Sequence, residues 1–215
     1  MTNAQKRALE ELWPAYGFGP NSGLAGKIAG YEHAERSLEI GFGDGDALLS
    51  LAKENPMRCF IGIDPHRPGA GRLLLRLQQE GIENIRIAIG DAAQLMPTIA
   101  PGSLSQILIL FPDPWPKKRH YKRRLIQPEF LRLLQQKLIP AGIVRLATDW
   151  APYAHWMVEH FAANPDFTLL QDDIRAPTET PPASVADEVR NVTKFEARGE
   201  RLGHEIRDLQ YQRIN

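Results

Sequence analysis

Acid, aromatic rings and positive charge are packed together in one short stretch of the chain, LFPDPWPKKRHYKRR at residues 110–124. Asp113 stands between Pro112 and Pro114, and Trp115 between Pro114 and Pro116. Proline fixes its own φ and disfavours helix in the residue before it, so Phe111, Asp113 and Trp115 are expected in extended backbone, with Asp113 on a stiff segment. A carboxylate held this way can accept hydrogen bonds from a base edge and offset positive charge that develops on a reacting ring. Lys117, Lys118, Arg119, Lys122, Arg123 and Arg124 follow, six positive charges within eight residues. Such a run suits the phosphates of folded RNA, while Trp115, Tyr121 or Phe195 can stack on an extruded base. Either feature alone is commonplace on a solvated face or in a core. Their adjacency at the end of an apolar run points to a site.

A second constellation lies upstream, in LEIGFGDGD at residues 38–46. Gly41, Gly43 and Gly45 follow Glu39 and allow a tight strand-to-helix turn that a ligand can approach closely. In the dinucleotide fingerprint a glycine stands where this chain has Asp46, and pyrophosphate rests on the helix that follows. Two carboxylates, Asp44 and Asp46, facing a pyrophosphate would repel it, whereas a ligand carrying a sulfonium and an ammonium tolerates them. The turn therefore favours S-adenosylmethionine over NAD, with Asp46 as an ordinary helix N-cap the plainer alternative. Asp64, closing the apolar run IGID, is placed to accept both hydroxyls of a ribose. Asp91, in GDA, can accept from an adenine amino group. Both are also at home as turn formers or caps.

The elements that must position these residues alternate along the chain. Helical propensity runs over 4–13 until Pro14 stops it, and a Gly/Pro-rich loop follows. Strands are expected at 37–40, 59–63, 85–89, 106–110 and 143–147, with helices at 47–54, 72–79, 128–138 and 152–161 and a short helical stretch at 92–95. Nearly continuous apolar strands alternating with helices predict a doubly wound α/β fold with a mostly parallel sheet. Further strands are expected at 167–170 and 206–211, the last antiparallel. The expected organisation is a single domain over 1–215, with an N-terminal helix-and-loop extension at 1–30 and a flexible loop at 176–190.

Composition narrows the class. Hydrophobic residues make up 43% and charged residues 24% of 215, the balance of a globular protein. With 26 basic and 26 acidic residues the formal net charge is zero, so the basic run leaves the remainder net negative. Cys59 is the sole cysteine, which excludes an intrachain disulfide and a cysteine metal cluster, and its apolar neighbours predict a buried thiol. His155 and His160 are five apart, so they share no metal-binding helix face. His66, His120 and His204 read as surface residues, and no metal is expected. With no secretory or membrane-spanning pattern, a cytoplasmic protein is expected. Nothing selects between monomer and homodimer.

From about residue 8 to residue 208 the chain resembles the class I methyltransferases, and more narrowly the bacterial tRNA (guanine-N7)-methyltransferases. LEIGFGDGD, IGID and GDA are shared with the wider superfamily, while LFPDPWPKKRHYKRRL, ATD and TKFEARGERLGHEIRDL carry the narrower likeness. The resemblance implies methyl transfer from S-adenosylmethionine to N7 of a guanine in the tRNA variable loop. It implies cofactor contacts at Glu39, Asp64, Asp91 and Asp113, with Asp113 also the catalytic residue, and substrate contacts at Lys117, Asp149, Thr193, Lys194, Phe195 and Glu196. Three positions depart from the family's pattern. Asp64 replaces a common Glu, Asn191 stands where proline is usual, and a basic segment before the first helix is largely missing. Two other activities share part of this pattern: an amino-methyltransferase acting on adenine or cytosine, suggested by Asp113-Pro114-Trp115, and a non-catalytic RNA-binding module.

Overall fold

The computed structural model describes residues 1–19, 31–176 and 202–214. Seven strands form one sheet in the order β3-β2-β1-β4-β5-β7-β6. They are β1 (Arg36–Ile40), β2 (Cys59–Asp64), β3 (Ile85–Ile89), β4 (Leu104–Leu110), β5 (Leu138–Thr148), β6 (Phe167–Arg175) and β7 (Ile206–Arg213). The first five pair in parallel, and β7 is inserted antiparallel between β5 and β6. This is the doubly wound, mostly parallel architecture that the strand pattern predicts.

The helices are α1 (Asn3–Glu11), α2 (Trp13–Tyr16), α3 (Asp46–Glu54), α4 (Arg67–Glu80), α5 (Ala92–Leu95), α6 (Pro128–Lys137) and α7 (Ala151–Ala162). Side chains alternate across each strand, and the alternation sorts the apolar residues into two cores. Leu38, Ile40, Ile61, Ile107 and Val144 pack with Leu131, Leu134, Tyr153 and Met157 of α6 and α7. Phe60, Ile85, Ile87 and Leu108 pack with Leu48, Leu51, Leu73 and Leu74 of α3 and α4, and α1 adds Ala8 and Leu9 to that core.

Several boundaries differ from expectation for local reasons. A capping box starts α1, with the Gln5 amide donating to Thr2 Oγ1 and the Thr2 amide donating to Gln5 Oε1. Pro14 does not stop the helical path but occupies the second position of α2, where a missing N–H costs nothing. Pro68 does the same at the start of α4, which begins five residues before the expected Arg72. The run Pro68-Gly69-Ala70-Gly71 has the composition of a turn, yet its glycines are packing devices. A Cβ on Gly69 would lie 1.9 Å from the Gly43 carbonyl oxygen, and one on Gly71 would lie 2.8 Å from the Gln5 carbonyl oxygen of α1. In β5 the chain enters at Leu138, opposite Leu104, and is irregular before regaining register at Ile143 opposite Gln106. Ala141 takes φ 61° in that irregularity.

Candidate active site

Between β1 and β4 the strand order reverses, and at such a switch point the loops leaving two neighbouring strands diverge and open a crevice beyond their C-terminal ends. The glycine turn leaves β1 here and the Asp113 segment leaves β4. A cleft of about 440 Å³ fills the crevice, within the ordinary range for a small-molecule site. Gly41, Gly43, Asp64, Asp91 and Asp113 all line it, brought together from the ends of four strands. Ile40, Ile63, Ala92, Leu110 and Leu125 supply an apolar floor, and Trp115, His66 and Arg123 complete the rim. Glu39 is buried in β1, and neither it nor Gly45 lines the cleft.

Gly41, Gly43 and Gly45 have φ of 82°, 58° and 80°, left-handed values that only glycine takes without strain. A Cβ on Gly41 would meet nothing within 4 Å, so the open space beside it is room for a ligand. Gly45 instead faces Leu73 of α4, where a Cβ would come within 2.7 Å. Its role is to seat α3 against α4.

Asp64 holds this turn. Its Oδ2 accepts from the Gly43 amide at 2.8 Å and its Oδ1 from the His66 amide at 2.6 Å. Each carboxylate oxygen has a second lone pair, so a fixed, buried carboxylate can still receive a diol. Asp91 is the N-cap of α5, its Oδ1 accepting from Ala93 at 2.8 Å and Gln94 at 3.3 Å. For both residues the cap role and the cleft-lining role coexist.

The carboxylates of the glycine turn are disposed differently from expectation. Asp44 pairs with Arg72 at 2.8 Å and Asp46 with Arg76 at 2.5 Å, both arginines lying on α4. Their charge is thus met by α4, and the preference for a cationic ligand rests on Asp64, Asp91 and Asp113. Three carboxylates, an apolar floor and backbone left bare by glycine fit S-adenosylmethionine, with its ammonium, sulfonium, diol and adenine.

Asp113 is exposed and takes part in no hydrogen bond or ion pair among the described residues. The backbone around it is not extended throughout, as the prolines alone suggest. Phe111 has φ 51° and Trp115 φ 42°, each directly before a proline, and such left-handed positions cost about 1–3 kcal/mol apiece. The Phe111 amide donates to the Ala147 carbonyl at 2.8 Å, which carries the β4–β5 pairing one residue past the sheet before the chain turns.

The basic run divides in two. Lys117, Lys118, Arg119, Lys122 and Arg123 are exposed on and beside a 3-10 turn at Lys118–Arg123. Arg124 is not part of the exposed patch: it is 3% exposed, and its Nε donates to the Pro114 carbonyl at 2.9 Å. Its guanidinium lies 3.7 Å from the Tyr121 ring centroid, 4.9 Å from that of Trp156 and 5.0 Å from that of Tyr153. Desolvated cation–π contacts of this kind contribute up to about 2 kcal/mol. One face of Tyr121 is therefore occupied by the guanidinium. Burial pushes the Tyr153 hydroxyl up to about 12, so that wall of the cage stays neutral. Trp115 lines the cleft with the Arg123 guanidinium 5.0 Å from its ring centroid.

Asp149 follows β5, next to the strand that carries Asp113. It pairs with His204, whose Nδ1 lies 3.3 Å from Asp149 Oδ2, so His204 is more than a surface residue. Lys117 is exposed ahead of the 3-10 turn. Thr193, Lys194, Phe195, Glu196 and Asn191 lie outside the described residues, as does most of the 176–190 stretch. Sequence reasoning missed Arg124 as a buried residue and His204 as a partner. The signal for the first is that Arg124 alone of the run abuts an apolar pair, Leu125-Ile126.

A family model described as "Putative methyltransferase" matches residues 33–209. The tRNA (guanine-N(7)-)-methyltransferase of Nitrosococcus oceani is 47% identical over 215 residues, covering 99% of this chain and 86% of the relative. The enzyme of the same name from Halorhodospira halophila is 46% identical over 215 residues, covering 99% and 90%. Among solved structures, the antibiotic-resistance methyltransferase Kmr superposes with a TM-score of 0.63 at 17% identity, covering 92% of this chain and 94% of that one. That last likeness is one of fold. The sequence likeness covers nearly the whole chain, and by it the chain belongs to the tRNA (guanine-N(7)-)-methyltransferase family.

Proposed function

We propose that this protein methylates N7 of a guanine in tRNA, within the variable loop, using S-adenosylmethionine, and that it does so in the cytoplasm. The observation that carries the reading is Asp113, an exposed carboxylate on the rim of the switch-point cleft with five exposed cations beside it. S-adenosylmethionine supplies an electrophilic methyl group whose carbon–sulfur bond breaks with its electron pair passing to sulfur. Guanine N7 brings its own lone pair, so the protein has no proton to remove before attack. What remains for its residues is orientation and charge.

Gly41 and Gly43 leave room for the ligand, Asp64 receives the ribose diol, and Asp91 accepts from the adenine amino group. Asp113 accepts from guanine N1–H and the 2-amino group, and its charge offsets the positive charge that the ring acquires. Asp149, Lys117 and the 193–196 segment hold the substrate, and the exposed basic residues hold its phosphates.

The test is to incubate the protein with unmodified tRNA and S-adenosylmethionine and to locate 7-methylguanine by strand cleavage at the modified base. Modification confined to the variable loop is expected. Methyl groups on adenine or cytosine amino nitrogens would replace this reading with that of an amino-methyltransferase. Failure to bind S-adenosylmethionine would leave a non-catalytic RNA-binding module.

A further inference from the structure

The three prolines that frame Asp113 create a mechanical problem. Proline has no N–H, so residues 112, 114 and 116 cannot donate to the body of the protein, and the segment leaves β4 through a strained left-handed residue, Phe111, and ends at another, Trp115. A catalytic carboxylate on such a segment needs a tether, and with so few donors the tether must grip a carbonyl. Among the described residues, 112–116 receives one hydrogen bond, from Arg124 Nε to the Pro114 carbonyl at 2.9 Å. That carbonyl belongs to the residue directly after Asp113.

Arg124 is built to hold still. It is 3% exposed, and its guanidinium lies against the rings of Tyr121, Tyr153 and Trp156. The cage is itself tied to the backbone. Trp156 Nε1 donates to the Ile126 carbonyl at 2.7 Å, the Ile126 amide donates to the Tyr153 hydroxyl at 3.4 Å, and Gln127 donates to the Tyr121 carbonyl at 2.9 Å. Arg124 Nη2 is buried and has no acceptor among the described residues. Burying a guanidinium with an unmet donor is costly, and a phosphate-binding role would leave it at the surface with its five exposed neighbours.

We infer that Arg124 is a positioning residue for the methyl-transfer reaction: it clamps the Pro114 carbonyl and so fixes the direction of the Asp113 carboxylate. The inference rests on the function proposed above and on Asp113 as the residue that meets the guanine. It assigns the last arginine of the run to catalytic geometry and the other five basic residues to RNA.

The experiment is a mutant cycle with Arg124→Met, Asp113→Ala and the double variant, measuring kcat and KM for unmodified tRNA, S-adenosylmethionine affinity by calorimetry, and Tm. Arg124→Met is expected to lower kcat about 10- to 100-fold, the cost of a small misplacement of a reacting group. KM for tRNA and cofactor affinity should change less than about threefold, and the double variant should be no slower than Asp113→Ala alone, because one residue acts through the other. Multiplicative effects, or a loss confined to KM for tRNA, would overturn the inference. Should Arg124→Met not fold, Arg124→Lys carries the same comparison, since it keeps a cation over the rings and loses the Nε–H. Lysine restoring full kcat would also overturn it. A wild-type protein forming no 7-methylguanine would instead refute the proposed function, so the two failures are distinguishable.

Discussion

Asp113 and Asp64 are both cleft carboxylates, yet their surroundings give them different work. Asp64 is 6% exposed and locked by two backbone amides, so it is part of the turn before any ligand arrives. Asp113 is exposed and faces the cleft without a partner among the described residues, so its hydrogen-bonding capacity is kept for the substrate. Asp113→Ala should lower the single-turnover rate with bound tRNA about 10²- to 10³-fold, the usual loss when one preorganised electrostatic contact is removed. Affinity for tRNA should change little, because phosphate contacts dominate it. A variant that loses RNA binding but transfers methyl at the normal rate once saturated would show Asp113 to be a docking residue. Asp64→Asn should raise the Kd for S-adenosylmethionine about tenfold, since the amide replaces one acceptor oxygen by a donor facing a backbone N–H. Calorimetric titration of the two proteins reads this directly.

At the scale of elements, the glycine turn works because α4 presses against it. Gly69 places the α4 backbone against Gly43 O, and Arg72 and Arg76 reach from the same helix to Asp44 and Asp46. Gly69→Ala should therefore damage the site from a distance, forcing α4 and the turn apart and weakening cofactor binding at least tenfold even where Tm falls only a few degrees. Unchanged affinity would show that α4 can shift without disturbing Gly43. On the far side of the sheet, β7 is pinned to the edge strand β6 by Arg207, whose Nε and Nη2 each donate to the Asp172 carboxylate at 2.6 Å. Those two hydrogen bonds hold the Asp172 carboxyl below its usual range. A lowered folded pKa means the stabilisation is complete above the unfolded value of about 3.9 and is lost as pH falls through the lower folded value. Asp172→Asn should cost about 1–2 kcal/mol at pH 7, and urea unfolding of the two proteins should converge as the pH falls through the lowered folded value.

For the molecule as a whole, a neutral chain that binds a polyanion must do so through local charge. With five exposed basic residues between 117 and 123, tRNA affinity should fall steeply with salt, and each phosphate contact removed should reduce the magnitude of the slope of log K against log[salt] by about 0.7–0.9. Lys118→Ala, Arg119→Ala and Lys122→Ala are expected to flatten the slope in this way. Arg124→Met is expected to leave it unchanged, and flattening by that substitution would place Arg124 on the RNA after all. No helix among the described residues is long and apolar enough to cross a membrane, and the charge asymmetry serves a different surface.

The sequence by itself determined the layered α/β fold, because apolar runs of strand length alternating with helical periods leave few other ways to bury both sheet faces. It also determined the glycine turn, the strand-end positions of Asp64, Asp91 and Asp113, and the buried thiol of Cys59, which burial pushes up to about 11. All of these are read from local pattern. What only the tertiary structure decided is which charges meet. Asp44 and Asp46 are neutralised by a helix more than twenty residues away, Asp149 finds His204 across 55 residues, and Arg124 is buried between Tyr121 of its own turn and Tyr153 and Trp156 of α7. Within about eight residues, six cations look alike on paper. Burial separates them, and burial is a property of the elements that close over a side chain rather than of the side chain itself.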